Sequence, residues 1–201
     1  MTDTLKDSNS VTTEKLETIL EAILFAANKV MSIDALYNLL QEDISPSRPE
    51  IKLALSSLSE NYQHKGINLV ELAGGYRFQT KKEYSHWVSR LWEEKPQKYS
   101  RAMLETLALI AYRQPITRGD IEEVRGVVVS STIMKTLQER NWIKIIGHRD
   151  VPGRPAMYAT TKQFLDYFNL KSLEELPSLA EIRDIDIISK EISAQLDLIE
   201  S

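Results

Sequence analysis

One order of apolar periods is written twice into this chain of 201 residues, and that repetition limits its fold more than any single motif does. In the first copy, Leu16, Ile19, Leu20, Ile23, Leu24 and Ala27 keep the i, i+3, i+4 spacing of a helix with one wide buried face. Ser32 then stands as an N-cap candidate before a short helix with Leu36, Leu39 and Leu40 inward. Ser47-Arg48-Pro49-Glu50 sets Ser at the cap, Pro in the first turn and Glu at N3. That is a capping-box pattern, and it opens a third helix with Ile51, Leu55, Leu58 and Tyr62 on one face. After Gly66 the period falls to two: INLVELA and YRFQT, joined through Gly74-Gly75, predict a β-hairpin whose glycines supply the positive φ of a tight turn. Residues 81–95 return to helical spacing, with Tyr84, Trp87, Val88, Leu91 and Trp92 apolar, and Pro96 ends the run.

The second copy repeats this order. Met103, Leu104, Leu107, Ala108 and Ala111 mark its first helix, and Thr117 precedes a short GDIEEVR helix as Ser32 does 85 residues earlier. Gly126 breaks the chain, Ser130 or Ser131 can cap a helix with Ile133, Met134 and Leu137 inward, and WIKII and AMYATT predict a second hairpin. Both hairpins end in Thr-Lys before aromatic residues: Thr80-Lys81 before Tyr84, and Thr161-Lys162 before Phe164, Tyr167 and Phe168. Three helices followed by a hairpin is the order of a winged helix. The expected fold is therefore α+β and helix-rich, with two tandem winged-helix domains that each carry a small antiparallel β-hairpin wing.

The expected organisation is a disordered N-terminal extension over 1–13, a first domain over 14–95, a linker over 96–100 and a second domain over 101–177. Ser172-Leu173-Glu174-Glu175 forms another capping-box pattern, closed by Pro177. In the tail 178–201, Ile182, Ile185, Ile188, Ile192, Leu196 and Ile199 keep helical spacing among six acidic and two basic residues. It reads either as an acidic amphipathic helix that meets a partner or as a disordered extension that packs intermittently on its own domain.

The net charge of −4 hides a partition: residues 98–162 hold 11 basic against 6 acidic side chains, and both flanks are acidic. With 42% apolar residues and 7 Gly and 7 Pro, a packed core is expected and a low-complexity chain is excluded. No uninterrupted apolar run reaches membrane length and MTDTLKDSNS lacks the features of a signal peptide, so a cytoplasmic location is expected, with no membrane partner. The absence of cysteine rules out thiolate chemistry and Cys-based metal sites. His64, His86 and His148 fall in three different predicted elements without ligand spacing, and no P-loop, G-x-G-x-x-G or G-x-S-x-G motif occurs. No catalytic, cofactor-binding or metal residues are expected, and a binding protein is the stronger class than an enzyme.

Two binding functions compete. As a DNA reader, the first domain's third helix offers Lys52 against Glu50 and Glu60, too little to neutralise phosphates. The second offers Lys135, Arg140, Lys144 and Arg149, with Arg154 beside them, enough for an auxiliary phosphate footprint. Its third helix begins Ser130-Ser131-Thr132, without an Arg, Asn or Gln to pair with a base edge, which disfavours a DNA-binding transcriptional regulator. As a protein adaptor, the chain would use apolar and aromatic surface instead.

Three stretches resemble one family. GHRDVPGRPAMYATTKQFLDYFNLKSLEELP (147–177), LETLALIAYRQPITRGDIEEVRGV (104–127) and LEAILFAANKVMSIDAL (20–36) are similar to segregation and condensation protein B, the winged-helix subunit of bacterial SMC condensin complexes. Val128-Val129 departs from the polar residues expected after RGV, and Asn169 stands where Gly is usual. The resemblance implies a non-catalytic, nucleoid-associated adaptor in chromosome segregation. It would be a homodimer joined through the first domain that binds the kleisin ScpA through the second, and through it the SMC ATPase heads, with DNA reached indirectly. Candidate partner-binding residues are Tyr112, Arg113, Ile116, Arg125, Arg154 and Tyr158. Tyr112 and Ile116 could equally be core, and Arg154 could pair with Asp150.

Overall fold

The computed structural model describes residues 12–91 and 99–177. The expected extension over 1–13 (apart from its last two residues), the start of the linker and the tail lie outside the described residues. The chain divides into two compact units, Met1–Tyr84 and Ser85–Ser201.

The first unit runs α1 (Thr13–Ala27), α2 (Ile33–Leu40), α3 (Arg48–Asn61), β1 (Ile67–Leu72) and β2 (Gly75–Thr80). Side-chain caps set two of its helix starts. Ser32 Oγ accepts from the Ala35 N–H at 3.1 Å, and at α3 the Ser47 N–H donates to Glu50 Oε2 at 2.7 Å while Ser47 Oγ accepts from the Glu50 N–H at 3.4 Å. Leu16, Leu20 and Leu24 of α1 pack with Leu36, Leu40, Ile51, Leu55, Leu58, Leu69 and Tyr76 in one core. Leu39 is exposed rather than inward, because the eight-residue α2 buries only the stripe made by Leu36 and Leu40. Tyr62, just after α3, donates its hydroxyl to Glu21 of α1 at 2.5 Å, and that bond holds the phenol up at about 12.

The hairpin is antiparallel, with Ile67 opposite Thr80 and Leu72 opposite Gly75. Gly75 carries the positive φ, at 141°, and has a second reason to be glycine: a Cβ there would sit 2.1 Å from the Met31 carbonyl oxygen. Met31 approaches this closely because its N–H donates to the Tyr76 carbonyl and its carbonyl accepts from the Tyr76 N–H, both at 2.9 Å. The residue before the α2 cap is thereby stitched to the hairpin.

The aromatic helix expected over 81–95 is broken up across 81–91, and 92–95 lie outside the described residues. Lys82–Tyr84 and Ser89–Leu91 are single 3₁₀ turns around the short α4 (Ser85–Val88), and Trp87 and Leu91 are exposed. The backbone gives the reason. Thr80 pairs with Ile67 as Thr160 pairs with Ile143, and Lys81 then donates its N–H to Gly66 as Thr161 does to Trp142. Lys81 therefore occupies the place of Thr161, one residue off the Thr-Lys alignment, and lysine has no oxygen with which to cap a helix.

The second unit runs α5 (Arg101–Arg113), β3 (Ile116–Thr117), α6 (Arg118–Arg125), α7 (Ser131–Glu139), β4 (Ile143–His148), β5 (Ala156–Thr160) and α8 (Lys162–Tyr167), with a last 3₁₀ turn at Leu173–Glu175. Ser100, Ser130 and Thr161 cap α5, α7 and α8 through their hydroxyls. The sheet order is β3-β5-β4, with Ile116 opposite Tyr158 and Ile145 also opposite Tyr158. β3 is unexpected: two residues are too short to show a period. Trp142 is buried among Tyr99, Tyr167 and Phe168, with ring centroids 5.3, 4.6 and 5.3 Å away. Asn169 follows α8 at φ 58°, a conformation asparagine tolerates where glycine is usual. Among the described residues, no helix is long and apolar enough to cross a membrane.

Gly75→Ala should destabilise the first unit by about 2–3 kcal/mol in urea unfolding, since it adds a backbone clash to a strained φ. Gly126→Ala, also at positive φ but with open space around its Cβ position, should lose only about 1 kcal/mol from the second unit. Equal losses would show that the Met31 approach relaxes freely.

Candidate functional site

The motif stretches of the second unit meet where the hairpin is fastened to α6. Thr117 Oγ1 accepts from the Asp120 N–H at 3.2 Å while Asp120 Oδ2 accepts from the Thr117 N–H at 2.9 Å, a capping box with Asp in the N3 place. Arg149, one residue beyond β4, lays its guanidinium across both Asp120 oxygens, at 2.8 and 2.6 Å. This two-point ion pair, followed by the capping N–H, draws the Asp120 carboxyl down to about 2. It also raises the Arg149 pKa above its ordinary value.

From that anchor the β4–β5 connection closes on itself. The Arg149 N–H donates to the Pro155 carbonyl at 3.0 Å, and the Arg154 N–H to the Val151 carbonyl at 2.8 Å. Gly153 and Arg154 both hold left-handed backbone, at φ 84° and 38°. Such a conformation is unfavourable for arginine, and the loop bonds on either side hold it there. The Arg154 side chain is exposed and has neither a hydrogen bond nor an ion pair among the described residues; the pairing with Asp150 does not form.

Two further arginines, one at each end of α6, tie that helix to its neighbours. Arg118 pairs with Glu122 at 2.9 Å and donates to the Val129 carbonyl at 2.5 Å, while Glu122 Oε1 accepts from the Val129 N–H at 2.9 Å. The Val129 N–H bond, then Arg118, lowers the Glu122 pKa. Both backbone groups of Val129 are thus gripped and its side chain is buried, whereas its neighbour Val128 is exposed. Arg125, only 10% exposed, pairs with Glu105 at 2.9 Å and donates to Thr106 Oγ1 at 3.2 Å. Burial opposes the Glu105 charge, yet the bonds from Arg101 and Arg125 prevail and lower its pKa.

The ten sequence candidates separate accordingly. Ile116 is core: β3 places it in the sheet, buried against the cluster around Leu107 and Trp142, so it presents nothing to a partner. Arg125 is an internal tie. Tyr112 is half-buried and donates to the Pro177 carbonyl at 2.8 Å, and Tyr158 is half-buried on the central strand. Arg113, in the last turn of α5, and Arg154 are exposed. Of the cations considered for DNA, Arg149 is committed to Asp120, and Arg140 donates to the Tyr99 hydroxyl at 2.5 Å and stacks over the Tyr99 and Trp142 rings. Lys135 pairs with Glu139 at 3.5 Å, and Lys144 is exposed. Sequence reasoning missed Asp120, Arg118 and Glu105; the Thr117-x-x-Asp120 and Arg118–Glu122 spacings could have found the first two.

Residues 18–179 match the family model of the segregation and condensation complex subunit ScpB. The chain belongs to that family. It is similar to a segregation and condensation protein B homolog of Coxiella burnetii, 55% identical over 181 residues that cover 90% of this chain and 87% of that one. It is also similar to segregation and condensation protein B of Syntrophotalea carbinolica, 41% identical over 187 residues covering 92% of each. Among solved structures, ScpB from Mycobacterium tuberculosis is 31% identical and covers 77% of this chain and 95% of its own, at a TM-score of 0.37. In this ScpB-family chain the matched stretch takes in both copies of the repeat from residue 18 onward and every candidate residue.

Asp120 has its pKa depressed from 3.8 to about 2 on folding, so its contribution to stability is complete above pH 4 and is lost as pH falls towards 2. Asp120→Asn should flatten that part of the stability–pH curve of the second unit. Thermal unfolding measured between pH 5 and pH 2 reads this, and an unchanged acid limb would mean the Arg149 pair forms only weakly in solution.

Proposed function

We propose that this chain is a non-catalytic adaptor of chromosome segregation and condensation. Each unit acts as a winged helix, the first joining two copies of the chain and the second binding the kleisin ScpA, which links the pair to the SMC ATPase heads. ATP hydrolysis belongs to SMC, and contact with DNA is made through the assembled complex in the nucleoid. The observation that carries this reading is the family match over residues 18–179, which spans both units.

The geometry supports an adaptor over a DNA reader. Arg140 and Arg149 are spent inside the second unit, and a phosphate footprint built on Lys135, Lys144 and Arg154 is too small for tight binding. In the first unit, Phe25, Leu39 and Leu53 are exposed on three successive helices, with Phe25 at 73% exposure. Large apolar side chains left this open suit a surface that a second copy covers. In the second unit, Arg113 and Arg154 are exposed charges without partners among the described residues, suited to an acidic or carbonyl-rich segment of the kleisin.

Two measurements test these assignments. Arg113→Glu with Arg154→Glu should weaken binding of the purified kleisin at least tenfold, about 1.4 kcal/mol, without lowering the melting temperature; unchanged affinity removes this surface from the interface. Phe25→Asp with Leu53→Asp should convert a dimer to a monomer in light scattering. If helix content falls instead, those side chains support the fold rather than the dimer.

A further inference from the structure

The hairpin of the second unit carries apolar surface that the described residues of that unit leave partly uncovered. Ile145 and Ile146 on β4 and Val151 in the β4–β5 connection are all close to half exposed. A register shift between Ile145 and Gly147 interrupts the alternation of β4, so two consecutive isoleucines are left open to solvent. Two cations flank this strip. Lys144 and Arg154 are exposed, and neither has an ion-pair partner among the described residues. Arg149, the other cation of the hairpin, is neutralised by Asp120, and Asp150 is the one carboxylate in the connection. The complement of such a strip is a segment that is both apolar and acidic. A nucleic acid would meet the two cations but would leave the isoleucines facing phosphate.

The chain itself contains that complement. Residues 178–201 carry six acidic and two basic side chains, and Ile182, Ile185, Ile188, Ile192, Leu196 and Ile199 recur at the spacing of one helical face. An apolar stripe of that length calls for a surface to cover it, since helices in proteins draw most of their stability from packing an amphipathic face. The departure point is favourable. Pro177 is held by the Tyr112 hydroxyl, and Gln114, two residues on, accepts from the Thr160 N–H and hydroxyl at the end of β5, at 2.7 and 3.1 Å. Thr160 pairs with Ile143, from which Ile146 lies three residues, or about 10 Å, along β4. A 24-residue helix extends about 36 Å, so the tail reaches the strip without strain.

We propose that residues 182–199 dock as an amphipathic helix on the β4–β5 hairpin of the same chain. Its isoleucines lie over Ile145, Ile146 and Val151, and its carboxylates face Lys144 and Arg154.

The chain has no cysteine, so an engineered pair reports the contact without background. In the full chain, Ile146→Cys with Ile188→Cys should oxidise to a disulfide within a single chain, seen as a faster band on a non-reducing gel, while Ile146→Cys with Thr4→Cys should not. A disulfide between two chains would assign the strip to a second copy and overturn the proposal, as would no cross-link above the control. Independently, Ile185→Ser with Ile188→Ser and Ile192→Ser, again in the full chain, should speed amide hydrogen exchange across residues 144–151 at least threefold. Lys144→Glu with Arg154→Glu should do the same, and protection unchanged in both variants would overturn the docking. Neither readout involves the kleisin, so the result stands apart from the adaptor reading.

Discussion

Both units depend on a short backbone pairing that joins the entry of the second helix to the hairpin. Met31 exchanges two hydrogen bonds with Tyr76 in the first unit, and Ile116-Thr117 adds a third strand against Met157 and Tyr158 in the second. A two-stranded hairpin is marginal by itself in water. The pairing gives it a third partner and at the same time fixes the residue just before the cap. Ser32 and Thr117 follow directly and satisfy the first amides of α2 and α6, so sheet and helix are set from one point. Gly75 belongs to this arrangement as much as to its turn, because any side chain there would push Met31 away.

The basic middle of the sequence does not become a basic surface. Arg149 binds Asp120, Arg118 binds Glu122 and Arg125 binds Glu105, and these three arginine–carboxylate pairs fasten the hairpin, the 126–130 turn and α5 to α6. Arg140 is spread over an aromatic pair. Arginine suits such ties because its planar fork bonds two oxygens at once and its charge persists when partly buried. The charge excess counted along the chain is therefore largely internal mortar, and among the described residues of that stretch the cations left unpaired are few: Arg113, Lys144, Arg154 and Lys162. That redistribution favours recognition of a protein segment over neutralisation of a nucleic-acid backbone.

Much of this was legible beforehand. Helical periods, cap residues and glycine placement located α1, α2, α3 and α5 to α7 and both hairpins, because each signal is local: an apolar stripe, a hydroxyl three residues ahead of an amide, a turn. The motif stretches pointed to the family for the same reason. What failed was whatever depended on a distant partner. Ile116 reads equally as anchor or core along the chain and is core, since a two-residue strand has no period of its own and exists by virtue of β5. Leu39 matched the inward stripe of α2 and faces solvent. The aromatic run after the first hairpin was aligned on Thr-Lys, whereas the strand register aligns Lys81 with Thr161 and so removes the cap that its counterpart has.

The sequence by itself determined the repeat, the element types, the caps and the family, all of them set by neighbours within a few positions. The tertiary structure alone decided which cations remain free, which apolar side chains stay uncovered and how Arg154 is presented on its left-handed loop. Those properties are differences between groups that find a partner across the fold and groups that do not. Along the chain Arg149 and Arg154 are two arginines of one loop. Only the approach of α6 brings a carboxylate to the first and leaves the second to meet something else.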